Sequence, residues 1–196
     1  MARHPLRASA MNDEKIPGEA APRAAAILND GSRDIDAFLA DVVAGERARG
    51  RRMQGMLMTY PDRGAGCAAA MVLVDIATGE PYLVSQALGA GSSACRADTQ
   101  GFARASEVFR RALAAPRGEV DLVVCNRFGE LEAAGGGFAA ELLELMAAGV
   151  PLLTVVSPRF QDDWRRYTGG ASLLPADDDA VRAWIDGVVA ARAGTP

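Results

Sequence analysis

An unbroken apolar run, Leu122-Val123-Val124-Cys125 with Val120 just ahead of it, limits this chain more than any other feature. A strand that is apolar on both sides must be covered on both faces, the condition of a parallel sheet with helices above and below it. The run passes directly into Asn126, Arg127, Glu130 and Glu132, then Gly135, Gly136 and Gly137, before a helical segment begins near Phe138. Open α/β sheets take their ligands at the carboxyl ends of their strands, and glycines let backbone approach a ligand closely. An ordinary strand–loop–helix connection uses the same residue types. Four polar groups beside three glycines favour a site.

The flanking segments repeat that alternation. Ala24–Leu28 is an apolar run ended by the turn signal Asn29-Asp30-Gly31-Ser32. Helical spacing follows over Asp34–Arg49, with Ile35, Phe38, Leu39, Val42 and Val43 on one face and Gly50 as its stop. Met53–Thr59 reads as a strand, Pro61–Gly66 as a loop, and Met71–Ile76 with Pro81–Gln86 as a hairpin turning at Thr78-Gly79. A loop over Ala87–Asp98, a helix over Thr99–Ala115, the strand at 121–127 and a helix over Phe138–Ala148 come next. Pro151–Val156 is a strand, Phe160–Tyr167 a short helix, Ser172–Leu174 a last strand, and Asp178–Ala191 a helix capped by Asp177. Strands alternating with helices predict a three-layer α/β/α fold with a mostly parallel sheet and one antiparallel hairpin. Residues 1–22, polar with Pro5, Pro17 and Pro22, read as a disordered extension. Residues 23–192 form a single domain and 193–196 a tail, and Met11 is an alternative start to Met1.

What is missing narrows the chemistry. The lone lysine, Lys15, and the lone histidine, His4, both lie in the extension. A GxxxxGK[ST] phosphate loop needs its lysine, and histidine bases, Ser–His–Asp triads and multi-histidine zinc sites are excluded from the body. A net charge of −4 argues against a nucleic-acid backbone as partner, and no apolar run nears the roughly 20 residues that span a bilayer. The start lacks the hydrophobic core of a secretory signal. Cys67, Cys95 and Cys125 are odd in number and irregularly spaced, which suits reduced thiols in a cytoplasm. Cys125, inside the strand, is read as a buried small hydrophobe.

The motifs VDIATG (74–79), SQALGAGSSACRAD (85–98) and NRFGELEAAGGGF (126–138) resemble a bacterial domain family of unknown function whose genes lie beside those for molybdate ABC transport. More distantly, the element order is similar to the P-loop nucleoside-triphosphatase family first described from thermophiles. That resemblance implies a P-loop-like topology with its catalytic parts replaced. Its phosphate loop falls on residues 28–38, where Gly31 remains, Ser32-Arg33-Asp34 occupy the lysine position, and Asp30, Asp34 and Asp36 make the loop acidic. Carboxylates at a helix start suit its dipole and repel a triphosphate. Asn126-Arg127 stand where the family carries an acidic pair for Mg²⁺, and an arginine binds no Mg²⁺.

The remaining donors outline an anion crevice. Ser85, Gln86, Gly89, Gly91, Ser92, Ser93, Cys95 and Arg96 bring flexible backbone, hydroxyls and a guanidinium, and Asn126, Arg127, Glu132 and Gly135 are expected to face them from the end of the 121–127 strand and the loop after it. Backbone N–H groups in glycine-rich turns hold oxyanions, and serine and arginine add directed donors. Alternatively, Arg96 pairs with Asp98 or Glu132 to pin the loop. No residue is assigned a catalytic or metal-ligating role and no cofactor is expected, with molybdate or a nucleotide as the candidate ligand. The resemblance adds molybdenum-transport or molybdenum-cofactor proteins as partners. The expected function is a non-hydrolysing cytoplasmic binding or accessory protein. The alternatives are a lysine-free nucleoside-triphosphate phosphohydrolase using Asp30, Asp34 and Glu132 for a metal, and a regulatory interaction protein with a vestigial pocket.

Overall fold

A computed structural model of the chain describes residues 23–61, 70–87 and 95–193, the side chains of 86, 87, 95, 96 and 193 excepted. The expected extension at 1–22, most of the loop after Pro61, the centre of the 87–98 loop and the last three residues of the tail lie outside them.

Seven strands form one mixed sheet in the order β4-β3-β2-β7-β8-β1-β9. They are β1 (Ala24–Leu28), β2 (Met53–Thr59), β3 (Val72–Asp75), β4 (Pro81–Leu83), β7 (Leu122–Phe128), β8 (Leu152–Val156) and β9 (Ser172–Leu174). The pairs β2–β7, β7–β8, β8–β1 and β1–β9 are parallel, and the β3–β4 hairpin continues antiparallel from β2. The helices are α1 (Ile35–Ala48), α2 (Thr99–Ala114), α3 (Glu130–Ala133), α4 (Ala139–Ala147), α5 (Gln161–Thr168) and α6 (Asp178–Ala193).

Alternation along β7 divides the core in two. Leu122 and Val124 pack with Ile35, Phe38, Leu39 and Val43 of α1 and Val181 and Ile185 of α6. Val123 and Cys125 pack on the other face with Val108 and Phe109 of α2, Leu142 and Leu145 of α4, and Trp164 of α5. β1 is the extreme case: Ala24, Ala25, Ala26 and Ile27 are fully buried. Alanine favours helix in isolation. Parallel neighbours on both sides override that preference, and the small side chains let both helical layers close onto the strand.

The expected strand, helix and hairpin positions are present within a residue or two, and two differences matter. The segment read as one strand over Pro81–Gln86 breaks at Val84, a buried residue whose N–H donates to Met71 O and whose carbonyl accepts from Asp98 N–H. Beyond the break, β5 (Ser85–Ala87) pairs antiparallel with β6 (Cys95–Ala97) as a separate ladder, so the ends of the expected 87–98 loop are strand. The loop after β7 also contains a short helix, α3.

The VDIATG motif builds the hairpin turn. Asp75 is buried, and its carboxylate accepts from Ala77 N–H at 2.8 Å, Thr78 Oγ1 at 2.7 Å and Arg111 Nη2 at 2.5 Å. Burial pushes its acid up, and the donors of Thr78, Ala77 and Arg111 outweigh that, holding it below the ordinary carboxylate value. Gly79 supplies the positive φ of 78° that the turn requires.

Candidate functional site

Three strands aim their following segments at the carboxyl edge of the sheet. β1 leads into Asn29–Asp34, β7 into the 129–138 loop, and β4, two antiparallel steps from β2 and so running with it, delivers Ser85 to the same edge. The first two meet. Asp36, in the first turn of α1, accepts through Oδ1 from Asn126 Nδ2 at 3.0 Å and from Arg127 Nη2 at 3.1 Å. Arg127 is therefore bound to the helix start across the sheet edge, rather than to Glu130 or Glu132.

The connection from β1 to α1 satisfies its own donors. Asn29 Oδ1 accepts from Gly31 N–H at 3.2 Å and Asp30 Oδ1 from Ser32 N–H at 2.9 Å. Contacts from the Ser32 hydroxyl and amide hold the Asp30 acid below its ordinary value. Asp34 caps α1, its Oδ1 accepting from the amides of Asp36 and Ala37 at 3.2 Å each. Arg33 reaches toward the segment that follows β9, stacking 4.0 Å above the Phe38 ring and donating to Ala176 O at 3.0 Å.

Glu132 has a local partner set. Its Oε2 accepts from Gly129 N–H at 3.0 Å and its Oε1 from Phe138 N–H at 3.2 Å, so one carboxylate closes the loop from within. Burial pushes the Glu132 acid up, against the opposing pull of those two amides. Gly137, with φ 56°, makes the arrangement possible: a Cβ there would stand 2.1 Å from Glu132 Oε1. Gly135, with φ 79°, and Gly136 terminate α3 through bonds to Glu132 O and Leu131 O. Phe138 is then clasped by Phe102 and Phe109, each ring 5.0 Å away, which fixes where the loop ends.

Of the expected crevice residues, Asn126 and Arg127 are brought together with Asp36, a partner that sequence reasoning assigned only to the acidic loop. Ser85 is buried, and its Oγ accepts from Met71 N–H at 2.8 Å. Gln86, Cys95 and Arg96 are placed only as positions of the β5–β6 ladder, with Gln86 opposite Arg96. Gly89, Gly91, Ser92 and Ser93 lie outside the described residues, as does the convergence of that segment on Arg127. Asp98, the alternative partner expected for Arg96, caps α2 by accepting from Gln100 N–H at 3.0 Å. Cys125 is a buried free thiol, as expected, and burial raises its acid far above the ordinary thiol value.

Asp30, Asp34 and Glu132 do not form a metal-holding set: among the described residues no three His, Cys, Asp or Glu side chains gather in that way. Among the same residues no helix is long and apolar enough to cross a membrane.

A parallel-centred sheet with helices on both faces defines an α/β protein of nucleoside-triphosphatase layout. The solution structure of a human cancer-related nucleoside triphosphatase aligns with a TM-score of 0.62 over 89% of this chain and 100% of that one, a likeness of fold at 15% identity. The chain belongs to the family described as "Protein of unknown function (DUF2478)", whose model matches residues 24–184. It is also similar to the molybdenum import ATP-binding protein ModC 2 of Bradyrhizobium diazoefficiens, at 37% identity over 163 residues. That match covers 83% of this chain and 18% of the relative, so the chain spans less than a fifth of the relative's length.

Proposed function

We propose that the chain is a cytoplasmic, non-hydrolysing binding or accessory protein of molybdenum handling. Its anion crevice is centred on the end of β7, at Asn126 and Arg127. One observation carries the non-hydrolysing part. The amides that open α1, which in a phosphate loop face the nucleotide, are taken by the carboxylate of Asp34. A triphosphate would have to displace that carboxylate while meeting the negative charge of Asp30 and Asp36. Arg33, the basic residue of the Ser32-Arg33-Asp34 stretch at the lysine position, is engaged by the Phe38 ring and Ala176 O, and Asn126-Arg127 supply no carboxylate for Mg²⁺. The phosphate loop is thus read as degenerate.

The molybdenum link is supported by the similarity to a molybdenum import ATP-binding protein, and a gene beside molybdate-transport genes is the expected setting. The oxyanion class is supported by the donor chemistry: a guanidinium, an amide, serine hydroxyls and glycine-rich backbone. Molybdenum-transport or molybdenum-cofactor proteins are the proposed partners. Glu132 and Gly135, first placed in the crevice, are better read as parts of the loop's internal closure. The vestigial-pocket alternative is favoured by one observation, that Arg127 already has its countercharge in Asp36.

A thermal-shift panel of molybdate, tungstate, sulfate, phosphate, ATP and GTP, paired with a phosphate-release assay, tests the proposal. An oxyanion at one hundred times its Kd should add about 2.7 kcal/mol of stability, and neither nucleotide should release phosphate above background. A panel with no shift leaves the vestigial pocket. Turnover that disappears in Asp34→Ala protein would establish an enzyme.

A further inference from the structure

We infer that Asp36 is an internal occupant of the anion site, a carboxylate that must leave before an oxyanion can bind. The inference rests on the proposed crevice and adds its regulation. The contacts of Asp36 are those a bound oxyanion would make: a guanidinium nitrogen at 3.1 Å and an amide nitrogen at 3.0 Å converge on one oxygen, with the second oxygen 3.5 Å from the same arginine nitrogen. Capping by Asp34 fixes the first turn of α1 and so holds the Asp36 carboxylate over the end of β7.

The second observation concerns Asn126. It is 2% exposed, and while its Nδ2 serves Asp36, its Oδ1 has no hydrogen-bond partner among the described residues. An unmet buried acceptor is costly, so a group that supplies a proton to it would stabilise the site. Asp36 offers no proton to that oxygen. A ligand hydroxyl or a water carried in with an anion does. Arg127 remains 41% exposed in its side chain and can turn from Asp36 to an incoming oxyanion without crossing the core. Binding then exchanges one countercharge of Arg127 for another, while the Asp34 cap keeps the first turn of α1 in place.

The test is calorimetric titration of the whole chain with sulfate, phosphate and molybdate, in wild-type, Asp36→Asn and Asp36→Asn/Arg127→Ala proteins. The Asp36→Asn change keeps the shape of the side chain and removes the competing charge, so the Kd for the bound oxyanion should fall about 10-fold or more, the effect of one charge-assisted contact. The double variant should bind none. Asp36→Ser replaces Asp36→Asn if the latter lowers the melting temperature. Wild-type binding that Asp36→Asn fails to tighten overturns the internal occupant and leaves the proposed function standing. Binding by Asp36→Asn protein alone supports the occupant and removes the proposed wild-type binder. No binding by either protein removes both. Tighter binding that survives Arg127→Ala shows that Asp36 guards some other group, and the inference fails.

Discussion

Replacing Glu132 tests whether the 129–138 loop is built for itself. The side chain is 6% exposed and its two oxygens serve Gly129 N–H and Phe138 N–H. In Glu132→Ala protein both amides lose their acceptor, and the Phe138 amide is buried. An unmet buried donor costs about 1–3 kcal/mol. The part-buried Gly129 contact adds to that and the relief of no longer burying a carboxylate offsets it, so a net loss of about 1–3 kcal/mol is expected, a large share of the roughly 5–15 kcal/mol typical of a domain. Urea denaturation followed by far-UV circular dichroism measures it. The pH dependence is a second, independent reading. Burial raises the Glu132 acid in the folded state, so its contribution is full below the unfolded-state value and is lost as pH rises through the folded one. Wild-type stability should therefore decline above the ordinary carboxylate range with a slope that Glu132→Gln lacks. A Glu132→Ala protein within about 0.5 kcal/mol of wild type would refute the reasoning, since that is the scatter of ordinary surface substitutions.

Three further outcomes follow from the geometry. Asp75→Ala strips the hairpin turn of the acceptor for Ala77, Thr78 and Arg111 and should cost about 2–4 kcal/mol; because the folded Asp75 acid is held low, its contribution persists above the unfolded-state value and is lost as pH falls through the folded one, which acid titration of the denaturation midpoint will show. Gly55→Ala should give insoluble protein or a loss above about 4 kcal/mol, since a Cβ there would lie 2.0 Å from Val124 O at a backbone φ of 111°; soluble protein with an unchanged melting curve would contradict the β2–β7 approach. Arg127→Ala should change the stability of the free protein by less than about 1 kcal/mol, as befits a half-exposed ion pair, and a larger drop in melting temperature would mean that the pair is a structural brace.

The sequence was legible wherever local chemistry decides. The apolar run of β7 demanded cover on both faces, Asp34 and Gly50 bounded α1, and Thr78-Gly79 marked the turn. The break at Val84 was not visible, because it depends on Met71 and Asp98 reaching the same residue from elsewhere. Glu132 read as a ligand group because it stands among glycines, although Gly129-x-x-Glu132 is half of a capping box, a glutamate reaching back to the amide three residues earlier. The partner of Arg127 was hidden for a different reason. Asp30, Asp34 and Asp36 lie on one short stretch, and only the phase of α1 against the end of β7 selects Asp36.

The position of β1 has a consequence for how the protein is made. Its four fully buried residues find their strand neighbours in Leu152–Val156 and Ser172–Leu174, near the far end of the chain. During synthesis the first strand of the domain leaves the ribosome long before either neighbour exists, and its alanines cannot enter a sheet until almost everything else has been translated. Such distant pairing slows folding and lengthens the time that unpaired apolar segments are exposed. The amino-terminal strand thus waits for β8, the edge strand β9 in turn pairs with β1, and a nascent chain stalled before β8 holds β2, β3 and β7 without the strands that complete the centre of the sheet.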